Sequence, residues 1–168
     1  GLYFRPKKGH ELAVTYKGAL INTVYQRSNR FRLDDYKLSQ YAVDYHTDIF
    51  MIRGYLTQEN TGNSYNMRSL AENMDRAFKS DDKWFADYTT AYNNAVTGGS
   101  VVADAHKIAR TTSDQGRFIP GTDAYEQKKE EVVNTNNWDY GAALRVKSDL
   151  IHSEGLLNWD KAFEDFFK

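Results

Sequence analysis

Two long alternating segments that meet at a two-residue turn constrain this chain more than anything else in it. Tyr36 to Thr47 reads YKLSQYAVDYHT, Ile49 to Asn60 reads IFMIRGYLTQEN, and the turn falls around Thr47-Asp48. Alternation with a period of two, rich in Tyr, Phe, Ile and Val, predicts a long antiparallel hairpin. Each arm has about eleven or twelve residues, roughly twice the ~5–6 usual in globular sheets and close to the ~9–11 that carry a tilted strand across a hydrocarbon layer. In the second arm Phe50, Ile52, Gly54 and Leu56 share one face, while Met51, Arg53, Tyr55, Thr57 and Glu59 share the other. One apolar face and one mixed face suit two structures: a barrel wall between lipid and a wet lumen, or a soluble antiparallel sheet with one face on a core. No transmembrane helix is predicted, so any membrane span is made of strands.

The hairpin belongs to the first of three zones, residues 1–60, which reads as antiparallel strands throughout. GLYFR is a short strand, Pro6-Lys7-Lys8-Gly9 a tight turn, and His10 to Gln26 a long strand with Leu12, Val14, Tyr16, Gly18 and Leu20 on one parity. Arg27 to Asp35, RSNRFRLDD, is charged and reads as a loop. The second zone, residues 61–140, changes to helical spacing. Met67, Leu70, Ala71, Met74 and Phe78 line one helix face. Ser80-Asp81-Asp82 caps a second helix, Gly98-Gly99 ends it, Ser100 caps a third, and Pro120-Gly121-Thr122-Asp123 precedes a charged fourth. The third zone, residues 141–168, returns to alternation over Gly141 to Asn158, with Arg145, Lys147 and Asp149 on a charged parity. KAFEDFFK at the end reads as a short helix or the start of another strand. The fold class expected is therefore mixed β and α: about five antiparallel strands interrupted by a helical excursion of about 80 residues, a length that signals a functional loop or a subdomain.

Composition narrows the chemistry. The 22 basic and 23 acidic residues nearly cancel, and no basic run exceeds Lys7-Lys8 or Lys128-Lys129, so there is no electrostatic footprint for nucleic acid. Without cysteine there are no disulfides and no thiolate metal sites. Catalytic signatures are absent. Asp104 and His106 fall on different helix faces, His106 and Arg110 share a face as a polar or interhelix contact would, and His10, His46 and His152 have no ligand at metal spacing. Adjacent carboxylates at Asp34-Asp35, Asp81-Asp82 and Glu130-Glu131 read as caps and solvated charge. TQENTGNSYN is rich in oxygen but lacks calcium-loop periodicity. An enzyme is not expected, and neither is a cofactor or a metal. Trp84, Tyr88 and Tyr92 recur every four residues, either as a binding platform or as packing between helices. Trp138 and Tyr140 stand where the excursion ends, either as an interfacial anchor or as packing at the neck. No signal peptide is visible, and the pattern begins and ends in mid-course, which suggests part of a larger protein.

The run GLYFRPKKGHELAVTY, followed by NTVYQRSNRFRLDDYKLSQYAVDY and FMIRGYLTQENTGNSYN, resembles barrel strands of a TonB-dependent outer-membrane receptor. RAFKSDDKWFADYTTAY, AHKIAR and GRFIPGT are similar to helical extracellular loop segments of that family, and NNWDYGAALRVKSDLIHSEG to a returning wall strand. The likeness spans essentially the whole chain and rests on order and spacing. It implies a transmembrane β-barrel wall in the outer membrane, with residues 61–140 outside the cell. Turns at Lys7-Lys8-Gly9, Thr47-Asp48 and around Asn158-Trp159 would face the periplasm. It implies energised uptake of a scarce ligand, a siderophore, oligosaccharide or peptide. The implied partners are outer-membrane lipid, the TonB system acting through other parts of the receptor, and a surface lipoprotein. A Ton box and a plug are not among these residues, which fits a segment of such a receptor. On this reading Arg53, Tyr55 and Glu59 with Arg145 and Lys147 line the lumen, and Trp84, Tyr88 and Tyr92 belong to the loop that meets the ligand. The competing reading is a soluble secreted or surface α+β module that binds carbohydrate or protein through its aromatics.

Overall fold

The computed structural model describes residues 1–26 and 29–166, with the backbone alone at 165 and 166. Among these residues the chain forms six strands and five helices: β1 Leu2–Phe4, β2 His10–Gln26, β3 Arg30–Thr47, β4 Phe50–Asn60, β5 Tyr65–Asn66, α1 Met67–Phe78, α2 Asp81–Thr97, α3 Val102–Ser113, α4 Asp123–Asn134, β6 Lys147–Leu157 and α5 Trp159–Phe166. The sheet runs β1-β2-β3-β4-β6, with β5 paired to β3 off that path. The pairings β1–β2, β3–β4 and β4–β6 are antiparallel. The chain divides into a sheet unit, Gly1–Tyr25 with Arg32–Ser64 and Leu144–Lys168, and a helical unit, Gln26–Phe31 with Tyr65–Ala143.

In the sheet unit, counting outward from the Asp48-Ile49 turn puts Asp44 opposite Arg53 and Tyr41 opposite Leu56. Thr47 makes the turn: its Oγ1 accepts from the amides of Ile49 (3.2 Å) and Phe50 (2.9 Å) and donates to the Phe50 carbonyl (3.1 Å). Because cross-strand partners share a face, the apolar side is a set of rows: Tyr41–Leu56–Ile151, Val43–Gly54–Ser153, Tyr45–Ile52–Gly155 and Phe50–Leu157. Tyr16 extends it onto β2, its ring 5.0 Å from that of Tyr41, and Leu2 and Phe4 extend it onto β1 opposite Val14 and Leu12. This face is not covered: Ile151 is 80% exposed, Leu20 61% and Ile52 55%. Ala13 is the one apolar residue of this unit buried among the described residues. The sheet therefore has long arms of 17, 18, 11 and 11 residues and, among the described residues, no apolar core. It is open among the described residues, with β1 and β6 at its ends.

The chain leaves the sheet at Thr61–Ser64 and re-enters at Leu144–Val146 through a stitched neck. Thr61 N donates to the Val146 carbonyl (3.0 Å), and Thr61 Oγ1 accepts from Val146 N (2.8 Å) and donates to the Leu144 carbonyl (2.8 Å). Ser64, fully buried, donates to the Thr61 carbonyl (2.5 Å) and accepts from Asp34 N (3.0 Å). Gly62 lies at φ 58, and a Cβ there would come within 2.4 Å of the Asp35 carbonyl oxygen. Only glycine fits both constraints.

The helical unit has a small core of Met74, Val132 and Ala142, packed by Tyr65, Leu70, Phe118 and Tyr125. Three of its helices start on a side-chain cap: the Asn66 side chain accepts from Arg68 N and Ser69 N, Ser80 caps α2 and Thr122 caps α4. Buried Asn73 donates to the carbonyls of Trp138 (3.1 Å) and Gly141 (2.8 Å), fixing the segment after α4 against α1.

Several expectations need correction. Arg30 to Asp35 is strand, not loop: its backbone is bonded, with Asn22 Oδ1 accepting the Asp35 amide at 2.7 Å and Ser64 Oγ accepting the Asp34 amide at 3.0 Å. Arg27 and Ser28 of that expected loop lie outside the described residues. The returning strand starts at Lys147 and not at Gly141, because the amides of Ala142, Ala143 and Leu144 bond to Val132, Thr135 and Ser64. The third helix is capped at Val101 with no side-chain bond, so Ser100 does not cap it. Of the two options for KAFEDFFK, the helix is the one formed as far as Phe166; Phe167 and Lys168 lie outside the described residues.

Candidate functional site

The polar face of the sheet carries the first candidate surface. Odd residues of β2 and β4 and even residues of β3 curve around a concavity of about 630 Å³. Arg53 lies in it as the centre of an ionic chain: its guanidinium bonds Asp44 on β3 and lies 3.6 Å from Glu154 on β6. Glu154 in turn lies 3.8 Å from His152, whose ring stacks on Tyr55 at 4.8 Å. Nearer the neck, Glu59 accepts from the Tyr36 hydroxyl (2.5 Å) and from Ser148 Oγ (3.0 Å). Arg53, Tyr55 and Glu59 thus share one face and each bridges to a neighbouring strand. With 44% of its side chain exposed, Arg53 remains accessible to solvent.

The other two residues expected to line this face do not join it. Lys147 pairs with Asn60 while Glu59 pairs with Ser148, so Lys147 points to the opposite side, in the same face as the apolar rows. The register accounts for a lysine there. Lys37–Asn60–Lys147 and Ser39–Gln58–Asp149 form two polar rows that bound the apolar band toward the neck, and Gln58 Nε2 donates to Asp149 at 3.1 Å. Arg145 precedes β6; its Nη1 donates to the carbonyls of Ser64 (2.8 Å) and Leu144 (3.2 Å), which makes it part of the neck.

The second surface is on the helical unit, where α2 and α3 form an antiparallel pair around the Gly98-Gly99 turn. Fully buried Ala105 and Ala109 let the helices approach closely. Trp84, Tyr88 and Tyr92, one turn apart on α2, line up against α3. Tyr88 stacks on Trp84 at 5.2 Å, and His106 stacks on Tyr92 at 4.6 Å while its Nδ1 meets the Tyr88 hydroxyl at 2.7 Å. The Arg110 guanidinium lies 5.7 Å over the Trp84 ring, a cation–π distance. All three α2 aromatics are half-buried, so they are both packing and surface.

Carboxylates fix this pair in place. Asp114 accepts from Trp84 Nε1 (2.9 Å) and Arg110 Nε (2.7 Å). Burial pushes its carboxyl upward, but the bonds from Arg110 and Trp84 outweigh it and hold the group below the usual carboxylate range. Asp87 is also held low, by hydrogen bonds from Lys79 and Lys83. Lys79 Nζ reaches both Asp87 (2.8 Å) and the Ser113 carbonyl (2.7 Å), tying the start of α2 to the end of α3.

Trp138 resolves as neck packing: its ring lies 6.0 Å from Phe31 and its Nε1 donates to the Ala143 carbonyl at 2.9 Å, while Tyr140 is 65% exposed. The oxygens of TQENTGNSYN are taken up by the fold, with Asn60 accepting from Gly62 N and Asn66 capping α1. Among the described residues no group of His, Asp and Glu is placed to hold a metal. Asp44, His152 and Glu154 were not singled out from sequence: a turn at Thr47-Asp48 would set Asp44 opposite Met51, and the turn formed one residue later, at Asp48-Ile49, sets it opposite Arg53. Among the described residues no helix is long and apolar enough to cross a membrane, which says nothing of strands. The chain matches no family model, no curated protein and no solved structure.

Proposed function

We propose that the sheet unit is a stretch of transmembrane β-barrel wall and that the chain serves as part of a TonB-dependent outer-membrane receptor. Such a receptor takes up a scarce ligand, a siderophore, oligosaccharide or peptide, with the helical unit outside the cell. One observation carries the reading: long strands with an uncovered apolar face on one side and an ion-paired concave face on the other. An exposed apolar surface of this extent needs a cover. The four apolar rows from Phe50 to Leu56 extend about 20 Å along β4, a large part of the ~25 Å apolar band of a barrel wall. Hydrocarbon covers one side, water and ligand fill the other, and further strands satisfy the open edges. Arg53, Tyr55 and Glu59 would then line the lumen, where the carboxylates flanking Arg53 keep its charge local and leave its outer edge to a passing polar ligand.

Adjacent residues on β3 face opposite ways, which gives a direct test. The chain has no cysteine, so a spin label can be placed at Val43→Cys or at Ala42→Cys alone. In lipid vesicles the label at 43 is expected to collide with oxygen dissolved in the bilayer, and the label at 42 with a water-soluble nickel chelate. Equal access of both labels to the nickel chelate, in a protein that stays monodisperse without detergent, would refute the wall.

The soluble or surface-exposed binding module is the second reading, and the aromatic face of α2 and α3 favours it. A helical unit with its own core and a ring-lined surface can recognise carbohydrate or protein wherever it is displayed.

A further inference from the structure

We propose that the trough between α2 and α3 is a binding site for an anionic saccharide, one that bears a uronate or sulfate group on a pyranose ring. Trp84, Phe85 and Tyr88 supply aromatic surface from α2, and His106, Lys107 and Arg110 supply nitrogen from α3. Thr111 completes the lining of a hollow of about 640 Å³. Three aromatics, two fixed cations and an imidazole meet there, and no carboxylate lines it. Asp114 and Asp104, the partners of Arg110 and Lys107, stand outside this lining, so the charged groups that line the hollow itself are cationic and favour an anion.

The nature of the ring follows from how shallow the trough is. Phe85 is 63% exposed, and the side chains of Lys107 and Arg110 are 78% and 60% exposed. An all-apolar ligand would leave most of its surface in water here. A pyranose sets its C–H face on an aromatic ring and keeps its hydroxyls solvated, with Thr111 and the hydrogen-bonded Tyr88–His106 pair in the lining. Arg110 is already oriented, held by Asp114 at 2.7 Å from outside the trough and laid over the Trp84 ring. Its forked guanidinium suits a carboxylate or sulfate. Lys107 pairs with Asp104, at 3.2 Å and in solvent, a bond that is easily exchanged for a ligand anion.

This inference concerns the helical unit and holds under either reading above, so its failure and the failure of the barrel wall are separate results. Intrinsic fluorescence of the purified protein, in detergent if it requires it, is titrated with trigalacturonate and with neutral trigalactose. Trigalacturonate is expected to quench saturably, to weaken as salt rises and to lose about threefold in affinity in Lys107→Gln, the size of one exposed ion pair. Phe85→Ala, at an exposed position that leaves the fold alone, is expected to weaken both the binding and the quenching. Lys129→Gln, away from the trough, is the control and is expected to bind as the parent does. Equal affinity for the neutral sugar would overturn the anionic assignment. Absence of saturable quenching by trigalacturonate, or a loss in Lys129→Gln equal to that in Lys107→Gln, would overturn the site.

Discussion

Asn73 provides the sharpest test of how the helical unit holds together. It is 4% exposed, and its one amide group donates to two carbonyls on a distant segment, those of Trp138 and Gly141. Gly141 is buried, and a Cβ there would meet the Thr135 carbonyl oxygen at 2.2 Å, so the segment cannot shift to find another donor. Asn73→Ala therefore strands a buried carbonyl, at about 1–3 kcal/mol, and removes a half-exposed bond worth about 1 kcal/mol. The sum, about 2–4 kcal/mol, corresponds to about 30- to 800-fold in an opening equilibrium. Hydrogen exchange reads this directly at two amides that close over the same segment: Ala142, bonded to the Val132 carbonyl at 2.8 Å, and Ala143, bonded to the Thr135 carbonyl at 3.1 Å. Both are expected to exchange faster by that factor in Asn73→Ala, and at least as fast in Asn73→Asp, whose carboxylate keeps the size but cannot donate. Protection of Ala142 within about threefold of the parent would show that the segment is held by other contacts and that Asn73 is not its anchor.

Gly62→Ala combines a positive φ with a Cβ 2.4 Å from the Asp35 carbonyl; it is expected to cost about 2 kcal/mol or more, seen as faster exchange of the Asn63 amide that bonds Asp34, and an unchanged rate would refute the close approach. The Asp87 carboxyl is depressed in the folded state, so its contribution is complete above its unfolded value near ~4 and is lost as pH falls through the lower folded value. Helical circular dichroism should thus hold from neutral pH to about 4 and decline only below it, and Lys79→Gln should blunt that acid step; a decline centred at pH 5–6 would assign the step to another group.

Parity was legible in the sequence, but register was not. The alternation of Phe50 to Leu56 fixes which residues of β4 share a face, and Ser80 and Thr122 mark two helix starts, whereas the turn forms one residue later than Thr47-Asp48, at Asp48-Ile49, and the Asn66 cap of α1 emerges only from the structure. β6 was harder. Its parity seemed to continue from Leu144 and Val146, but those residues bond within the neck, and the sheet register begins afresh at Lys147. Charge misled in the same way at Arg30–Asp35, where the strand is held by bonds from its backbone to Asn22 and Ser64, which no local pattern announces. On α2 the spacing of Trp84, Tyr88 and Tyr92 was plain. Their partners, His106 and Arg110, come from a second helix, and only the pairing of the two shows that the aromatics form packing and surface at once.

The neck at Thr61–Ser64 and Leu144–Val146 makes the segment between β4 and β6 removable in principle. Asn60 and Lys147 are direct register partners, so β4 and β6 are already the two arms of a hairpin, and everything between them occupies the place of its loop. A tight turn of two residues, Asn-Gly for instance, could close that hairpin without altering the pairing. Conversely, a different folded module with adjacent ends could be spliced in at the same seam. The scaffold and what it displays can therefore be exchanged separately, and lineages that share this sheet would be free to vary the insert in size and shape while the strands beneath stay in register.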